Sequence, residues 1–178
     1  MTSDDRFGQA AALIARGLAV VPLPPGGRVP EPGWQRLATR NPEVLPELLA
    51  GDRNIGVGCR ASGAVVLDLD VKGAVEGRAV LAALADRLGE PWPETLTVDT
   101  PSGGCHLYFR VPADCTIGSS SGGTTALGHG IDVRGPGRRG GGYVVGPGSI
   151  VGGIPYVISH DVPLARLPGW IADRLTTA

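Results

Sequence analysis

The spacing of apolar residues along the chain predicts a mixture of helices and strands. Residues 3–17 and 75–88 carry apolar side chains at helical spacing, and each segment ends at a glycine. A third helix is expected over 164–175 and a shorter one over 39–50, where Asn41 can cap the first turn. Short β-branched and apolar runs predict strands over 18–23, 55–58, 64–70, 96–100, 106–111, 131–134, 142–145 and 156–158.

The order of these elements favours an α+β fold over a regularly alternating one. One long helix follows the strand at 64–70, and a hairpin comes next, which is typical of a split sheet. Strands 55–58 and 64–70 are expected to be joined by a turn. The glycine-rich segment that follows the hairpin, up to about Gly130, is expected to be mobile. No linker divides the chain, so we expect a single domain over 1–178.

Composition and charge add mainly exclusions. The net charge of −1 gives no overall attraction to nucleic acid or to anionic membranes, so a site for a polyanion must be a local patch. Three cysteines without C-x-x-C spacing suggest neither a disulfide framework nor a zinc site. We expect a cytoplasmic protein with no membrane partner, because the sequence shows no signal peptide and no long apolar run.

The first candidate site is a pair of aspartates at the end of a buried strand, in VVLDLDVKG (65–73). Side chains alternate along a strand, so Asp68 and Asp70 share one face while Leu67 and Leu69 point into the core. Adjacent carboxylates repel each other unless a cation, a basic side chain or water neutralises them. The pair therefore indicates either a site for Mg²⁺ or Mn²⁺ or a solvated strand terminus.

The second candidate is the turn in TPSGGCHLYFR (100–110). Around Ser102, the glycines Gly103 and Gly104 leave backbone N–H groups uncovered, an arrangement suited to phosphate oxygens. His106 opens the next strand and would lie beside this nest. The alternative is an ordinary hairpin turn followed by a half-exposed histidine.

The third candidate is GIDVRGPGRRGGGYVVGPGS (130–149). Asp132 and Arg134 share one face of a short strand, and Arg138 and Arg139 follow in a glycine loop. The acid can complete a metal site, while the arginines can bind triphosphate oxygens or a nucleic-acid backbone. The alternative is a solvated basic turn in which Asp132 pairs with Arg134.

Taken in order, the three motifs resemble the archaeo-eukaryotic primase superfamily, specifically its bifunctional DNA primase/polymerase (prim-pol) branch. The flanking runs GLAVVPLPPGGRVPEPGW, NIGVGCRASGAVVLDLD and GGGYVVGPGSIVGGIPYVI are similar to it as well, so the resemblance extends from about Gly17 to Leu175. Arg28 stands where the family often has lysine, and Gly146-Pro147 replaces a frequent proline pair. Neither departure involves an acid, so we expect the chemistry to be retained.

The resemblance implies a fold and a set of residue roles. The fold is an RRM-like catalytic sheet over about 61–178, joined to a smaller N-terminal α/β unit over about 1–60. Asp68, Asp70 and Asp132 match the three catalytic acids that bind two ions of Mg²⁺ or Mn²⁺. The residues expected to bind the nucleotide are Ser102, Gly103, Gly104, His106, Arg134, Arg138 and Arg139.

The implied function is template-directed nucleotidyl transfer by a two-metal mechanism, as a DNA primase, a DNA polymerase or both, in DNA replication. The expected partners are nucleoside triphosphates, a single-stranded DNA template with a primer, and a helicase domain or protein, which family members often carry. Two alternatives stay open. One is a replication module that binds nucleotide or DNA without catalysis. The other is a metal-dependent D-x-D glycosyltransferase, which accounts for Asp68 and Asp70 but not for Asp132 or the Ser102–His106 motif.

Overall fold

The computed structural model describes residues 3–137 and 140–176. The helices are α1 (Ser3–Ala15), α2 (Leu45–Leu48), α3 (Cys59–Ser62), α4 (Gly77–Leu88) and α5 (Gly169–Thr176), with 3-10 turns at Trp34–Leu37 and Pro42–Val44. Asn41 caps the turn before α2 as predicted, because its side chain accepts a hydrogen bond from the Glu43 N–H at 3.0 Å. Within the described ranges, no helix combines the length and the apolar character needed to cross a membrane.

The strands are short, and most of them pair antiparallel. They are β1 (Val20–Leu23), β2 (Asn54–Gly58), β3 (Ala64–Leu69), β4 (Val71–Lys72), β5 (Val75–Glu76), β6 (Thr97–Asp99), β7 (Cys105–Arg110), β8 (Thr124–Thr125), β9 (Gly128–His129), β10 (Ile131–Arg134), β11 (Tyr143–Val145), β12 (Ile150–Val151), β13 (Ile154–Pro155), β14 (Val157–His160) and β15 (Ala165–Arg166). The predicted α+β class is therefore confirmed, and its sheets are mostly antiparallel.

A six-stranded central sheet organises the molecule. Its order is β10-β3-β7-β6-β14, and β15 pairs in parallel with the far end of β7. A second sheet has the order β1-β2-β11, so a strand from the later part of the sequence completes the N-terminal sheet. Three two-stranded ribbons, β4–β5, β8–β9 and β12–β13, lie outside these sheets.

The central sheet is covered on both faces, because its strands β3 and β7 are almost continuous apolar runs. On one face, Val65, Leu67 and Leu69 pack with buried residues of α4 and α5. On the other face, Ala64 and Val66 pack with buried residues of α1 and of the β1-β2-β11 sheet. The predicted inward direction of Leu67 and Leu69 is thus confirmed.

Several predicted segments differ from the observed ones, and the helix expected over 39–50 is reduced to a 3-10 turn at Pro42–Val44 and to α2. Helix α4 begins at Gly77 rather than at 75, because residues 75 and 76 form strand β5. Helix α5 begins at Gly169 rather than at 164, since Pro168 restricts the residue before it and the chain there forms β15. The glycine-rich segment expected to be mobile contains the ribbon β8–β9, and Ser120 bridges to Val133.

The expected turn between strands 55–58 and 64–70 is also different. Residues 59–62 form the single helical turn α3, and the two strands belong to different sheets. Gly63 ends this helix with a left-handed backbone, at a φ of +58°. The short segment therefore carries the chain from one sheet to the other.

Candidate active site

Three polar side chains form a row across neighbouring strands of the central sheet. Asp132 in β10 is the register partner of Asp68 in β3, and Asp68 is the register partner of His106 in β7. Register partners in antiparallel strands project to the same face, with Cβ atoms ~4.5–5.5 Å apart. This face is the one that carries Ala64 and Val66 further along β3. The sheet thus brings together the first and third predicted acids and the predicted histidine.

The second predicted acid, Asp70, follows β3 directly and is fixed through its backbone. Its N–H donates to the Gly130 carbonyl and its carbonyl accepts from the Gly77 N–H, each at 2.8 Å. A Cβ atom at Gly77 would lie 2.2 Å from the Gly130 carbonyl oxygen, and one at Gly104 would lie 2.2 Å from that of Leu69. Both positions therefore require glycine, because three chain segments close around Asp70.

Each of the three carboxylates has a basic neighbour. The pairs are Lys72 Nζ to Asp70 Oδ2 (2.6 Å), His106 Nε2 to Asp68 Oδ1 (3.4 Å) and Arg134 Nη2 to Asp132 Oδ2 (3.3 Å). The second oxygen of Asp132 accepts a hydrogen bond from the Gly123 N–H at 2.7 Å. Like charges on adjacent strands repel each other, so these bases make the cluster tolerable. Asp132 therefore pairs with Arg134, as the alternative interpretation of the sequence expected, and is also the register partner of Asp68.

The buried histidine changes the ionisation of its neighbour. Burial by itself raises the pKa of Asp68, but the hydrogen bond from His106 and the positive charges around it hold that pKa below its ordinary value of 3.8. His106 is only 4% exposed, so the alternative of a half-exposed histidine is wrong. Its Nδ1 is buried and has no hydrogen-bond partner in the described part of the chain. Its ring lies 5.7 Å from that of Tyr156.

The Ser-Gly-Gly turn is tighter than the sequence suggested. The Gly103 N–H donates to the Thr100 carbonyl at 3.0 Å, and the Thr100 N–H donates to the Gly104 carbonyl at 2.9 Å. The Ser102 hydroxyl is exposed and lies 3.1 Å from Thr100 Oγ1. The Gly103 N–H is therefore already bonded within the turn and is not free for a phosphate. Phosphate binding by the predicted nest stays a prediction.

A cleft of about 270 Å³ opens beside the row of polar residues. Its lining includes Arg28, Asp68, His106, Arg134, Tyr143 and Tyr156. Two arginines beside a carboxylate and an imidazole suit an anionic ligand, because one guanidinium group can donate two parallel hydrogen bonds to a phosphate. Arg28 was not among the predicted site residues, although it stands at a position where the family often has lysine.

The fit of these residues to a divalent cation rests on their chemistry. Within 3–137 and 140–176, no three His, Cys, Asp or Glu side chains are placed so as to hold a metal ion. Carboxylate oxygens are nevertheless the ligands that Mg²⁺ and Mn²⁺ prefer, and Asp68 and Asp132 present them from facing positions. The Lys72 ammonium already lies against Asp70 as a positive charge. The chemistry of the two carboxylates is therefore suited to a divalent cation, although the predicted three-ligand set is not assembled within the described residues.

The remaining predicted residues are the arginines after β10. Arg134 lies at the end of that strand, half-buried, and lines the cleft. Arg138 and Arg139 fall outside the described residues, so their predicted role stays a prediction.

One comparison with known proteins identifies relatives of the chain. The family model described as bifunctional DNA primase/polymerase, N-terminal, matches residues 10–170. No curated protein sequence matches the chain. Enzymes of this family are of the nucleotidyltransferase type and are generally metal-dependent. The predicted resemblance is confirmed, and the match favours a primase or polymerase over the glycosyltransferase alternative.

Proposed function

We propose that this chain, which belongs to the bifunctional DNA primase/polymerase family, catalyses template-directed nucleotidyl transfer. The observation that carries the proposal is the row formed by Asp132, Asp68 and His106 on three adjacent strands. Asp68 and the buried imidazole line a cleft that contains two arginines, and Asp132 lies on the adjacent strand, so the site can serve a reaction between polyanions. A primer 3′-hydroxyl would attack the α-phosphorus of a nucleoside triphosphate, and the bond to pyrophosphate would break.

Asp68, Asp70 and Asp132 are the residues that would hold two ions of Mg²⁺ or Mn²⁺. Such ions, when bound, favour ionisation of an attacking hydroxyl and offset the negative charge of the reacting phosphates. The chain would have to free the acids first, because Lys72 and Arg134 pair with Asp70 and Asp132. Both basic side chains are at least partly exposed, at 66% and 27%, so they can move without disrupting the core.

The cleft supplies the groups that would bind the triphosphate. Arg28 and Arg134 can donate hydrogen bonds to phosphate oxygens and offset the charge that builds up on the leaving pyrophosphate. His106 holds Asp68 in place through Nε2, and its Nδ1 is buried without a hydrogen-bond partner in the described residues. In a neutral ring that donates from Nε2, Nδ1 is an acceptor, and in a protonated ring it is a second donor. Ser102 would add a hydroxyl from the exposed turn.

We also propose that the central sheet is RRM-like. The order β10-β3-β7-β6, with α4 between β3 and β6, supports a split βαβ arrangement. In the described residues, ribbon β8–β9 takes the place of a helix before β10. The division into lobes of about 1–60 and 61–178 is a proposal as well, and β11 would belong to the sheet of the first lobe.

The proposed partners are nucleoside triphosphates and a primed single-stranded DNA template, together with a helicase domain or protein. A net charge of −1 and an aromatic content of 4% leave little for the template to bind except a local group of arginines. Template binding should therefore weaken with added salt, because contacts with phosphates carry it, and their small number predicts a shallow dependence. Binding that is insensitive to salt would contradict this part of the proposal.

A primer-extension assay with Mn²⁺ or Mg²⁺ tests the proposed function. The double variant Asp68→Asn/Asp70→Asn should lose about 100-fold or more in nucleotide incorporation, because several kcal/mol of charge stabilisation are removed. The matched control is Asp86→Asn, which removes an exposed carboxylate from α4, against the opposite face of the sheet. Unchanged extension by a folded double variant would refute the proposal. Dinucleotide synthesis on an unprimed template would show that the protein also starts chains.

A non-catalytic module that binds nucleotide or DNA is the second candidate. One observation favours it: every carboxylate of the cluster is already paired with a basic side chain. Calorimetry with a nucleoside triphosphate, with and without Mn²⁺, measures binding separately from turnover. Binding without any extension or dinucleotide synthesis would support this candidate over the enzyme.

A further inference from the structure

Lys72 occupies a special position beside the acidic cluster. It is the single lysine of the chain, and it lies in strand β4, two residues beyond Asp70. Its Nζ is 2.6 Å from Asp70 Oδ2. The Lys72 side chain is 66% exposed, whereas that of Asp70 is only 18% exposed. The ammonium group thus covers a largely buried carboxylate from the solvent side.

The influence of the cluster on this ammonium extends beyond the direct ion pair. The pKa of Lys72 is raised, first by the hydrogen bond with Asp70 and by its charge, and then by the charges of Asp132 and Asp68. All three acids therefore attract the same positive charge. Lys72 lies on the side of the cluster from which a dissolved cation would approach.

The segment that carries Lys72 is a short, exposed ribbon. Ribbon β4–β5 contains two residues in each strand, and its side chains are exposed, including those of Val71 and Val75. An exposed lysine–carboxylate pair changes an equilibrium constant by only about two- to fivefold, because solvent screens it and ordering the side chain costs entropy. A divalent ion that meets several carboxylates can therefore displace it.

We propose that Lys72 is an internal cation that neutralises the acidic cluster until a divalent metal ion binds and displaces it. The inference rests on the proposed function, since the metal site belongs to that function. It gives Asp70 a counter-charge in the metal-free protein, where Asp68 pairs with His106 and Asp132 pairs with Arg134. It also means that Lys72 weakens metal binding by competing for the same carboxylates.

Mn²⁺ titrations without nucleotide, followed by the electron paramagnetic resonance signal of free Mn²⁺, test the competition. Lys72→Met should bind Mn²⁺ about two- to fivefold more tightly than the wild type, because the competing charge is gone. Lys72→Arg keeps that charge and should bind like the wild type. Arg87→Met is the matched control, since it removes an exposed cation at the end of α4 and should leave the affinity unchanged.

The outcomes of the titration separate the two proposals. Equal or weaker Mn²⁺ binding by Lys72→Met would overturn the role of Lys72 and leave the proposed function standing. A tightening of the same size in Arg87→Met would reduce the effect to net charge and overturn the inference as well. No Mn²⁺ binding in any of the proteins would overturn the proposed metal site and this inference together.

A second measurement follows the lysine itself. Reductive methylation with ¹³C-formaldehyde preserves the charge, and a single lysine gives a single lysine signal by NMR. In Asp70→Asn, the chemical shift of this signal is that of a Lys72 without its ion pair. Saturating Mg²⁺ should move the wild-type signal to that position. A signal that stays where it was in the metal-free protein, while the titration reports bound metal, would show that Lys72 is not displaced.

Discussion

Replacing Gly104 with alanine tests the close contact that positions Asp70. Gly104 is buried where β7 meets the end of β3. A Cβ atom there would lie 2.2 Å from the carbonyl oxygen of Leu69, 3.2 Å from its carbonyl carbon and 3.3 Å from the Asp70 Cα. Every one of these neighbours is a backbone atom, so no side chain can rotate away to relieve the overlap.

The size of the effect follows from this overlap. Overpacking a close-packed site costs about 1–3 kcal/mol, and a clash with backbone belongs at the upper end of that range. At about 2–4 °C per kcal/mol for a chain of this length, the melting temperature of Gly104→Ala should fall by about 5–10 °C. The displaced backbone carries Asp70, so nucleotide incorporation should fall too, by about tenfold or more.

Gly103→Ala is the matched control for this prediction. A Cβ atom at Gly103 meets nothing within 4 Å, but its φ of +85° makes alanine strained there. That strain costs about 1 kcal/mol, so the melting temperature should fall by only about 2–4 °C. Thermal unfolding followed by circular dichroism compares the two variants. If Gly104→Ala proved no less stable than Gly103→Ala, the close contact at Asp70 would be refuted.

Three further predictions concern reactivity, pH and the cleft. Native protein treated with a thiol reagent at pH 8 should be modified mainly at the partly exposed Cys115. Burial raises the pKa of Cys59 to about 12 and that of Cys105 to about 11, so both thiols stay protonated and unreactive. Equal labelling of the three cysteines in peptide mapping would contradict this prediction. The lowered pKa of Asp68 means that its carboxylate adds stability above about pH 4, which is lost as the pH falls through the lowered pKa. The unfolding free energy of the wild type minus that of Asp68→Asn, from urea titrations, should therefore be larger at pH 7 than at pH 3, and a constant difference would argue against it. Arg28→Ala should raise the KM for nucleoside triphosphate about tenfold in primer extension, through loss of a charge-assisted contact, and an unchanged KM would remove Arg28 from the site.

The period of two in a strand was enough to predict part of the site. It gave the buried direction of Leu67 and Leu69, and hence the opposite direction of Asp68, which the packing of β3 confirms. Asp70 lies beyond the end of β3, so its shared face with Asp68 stays a prediction. The strand period could not predict that Asp132 and Asp68 are register partners. The pairing of two distant strands depends on a register that the sequence alone does not specify. The family resemblance, rather than the spacing, suggested that the third acid would join the first two.

The features that the sequence did not reveal depend on contacts between distant or irregular segments. The N-terminal sheet includes β11 from the second half of the chain, and no local sequence pattern predicts that pairing. Arg28 reaches the cleft from a proline- and glycine-rich loop, whose course propensities do not predict. The ion pair of Lys72 with Asp70 depends on ribbon β4–β5, which the apolar spacing had assigned partly to helix α4. Each miss is a tertiary effect that overrides a local preference.

The rate of primer extension by Asp132→Asn, alone and combined with Asp68→Asn, tests the central claim most directly. Residues that act as one catalytic unit are not additive, so each single variant should already lose about 100-fold and the double variant should be hardly worse. All three proteins should retain the circular dichroism spectrum of the wild type, and Asp86→Asn should extend normally. Extension by Asp132→Asn at the wild-type rate would contradict the account, because the acid facing Asp68 would then have no part in the reaction.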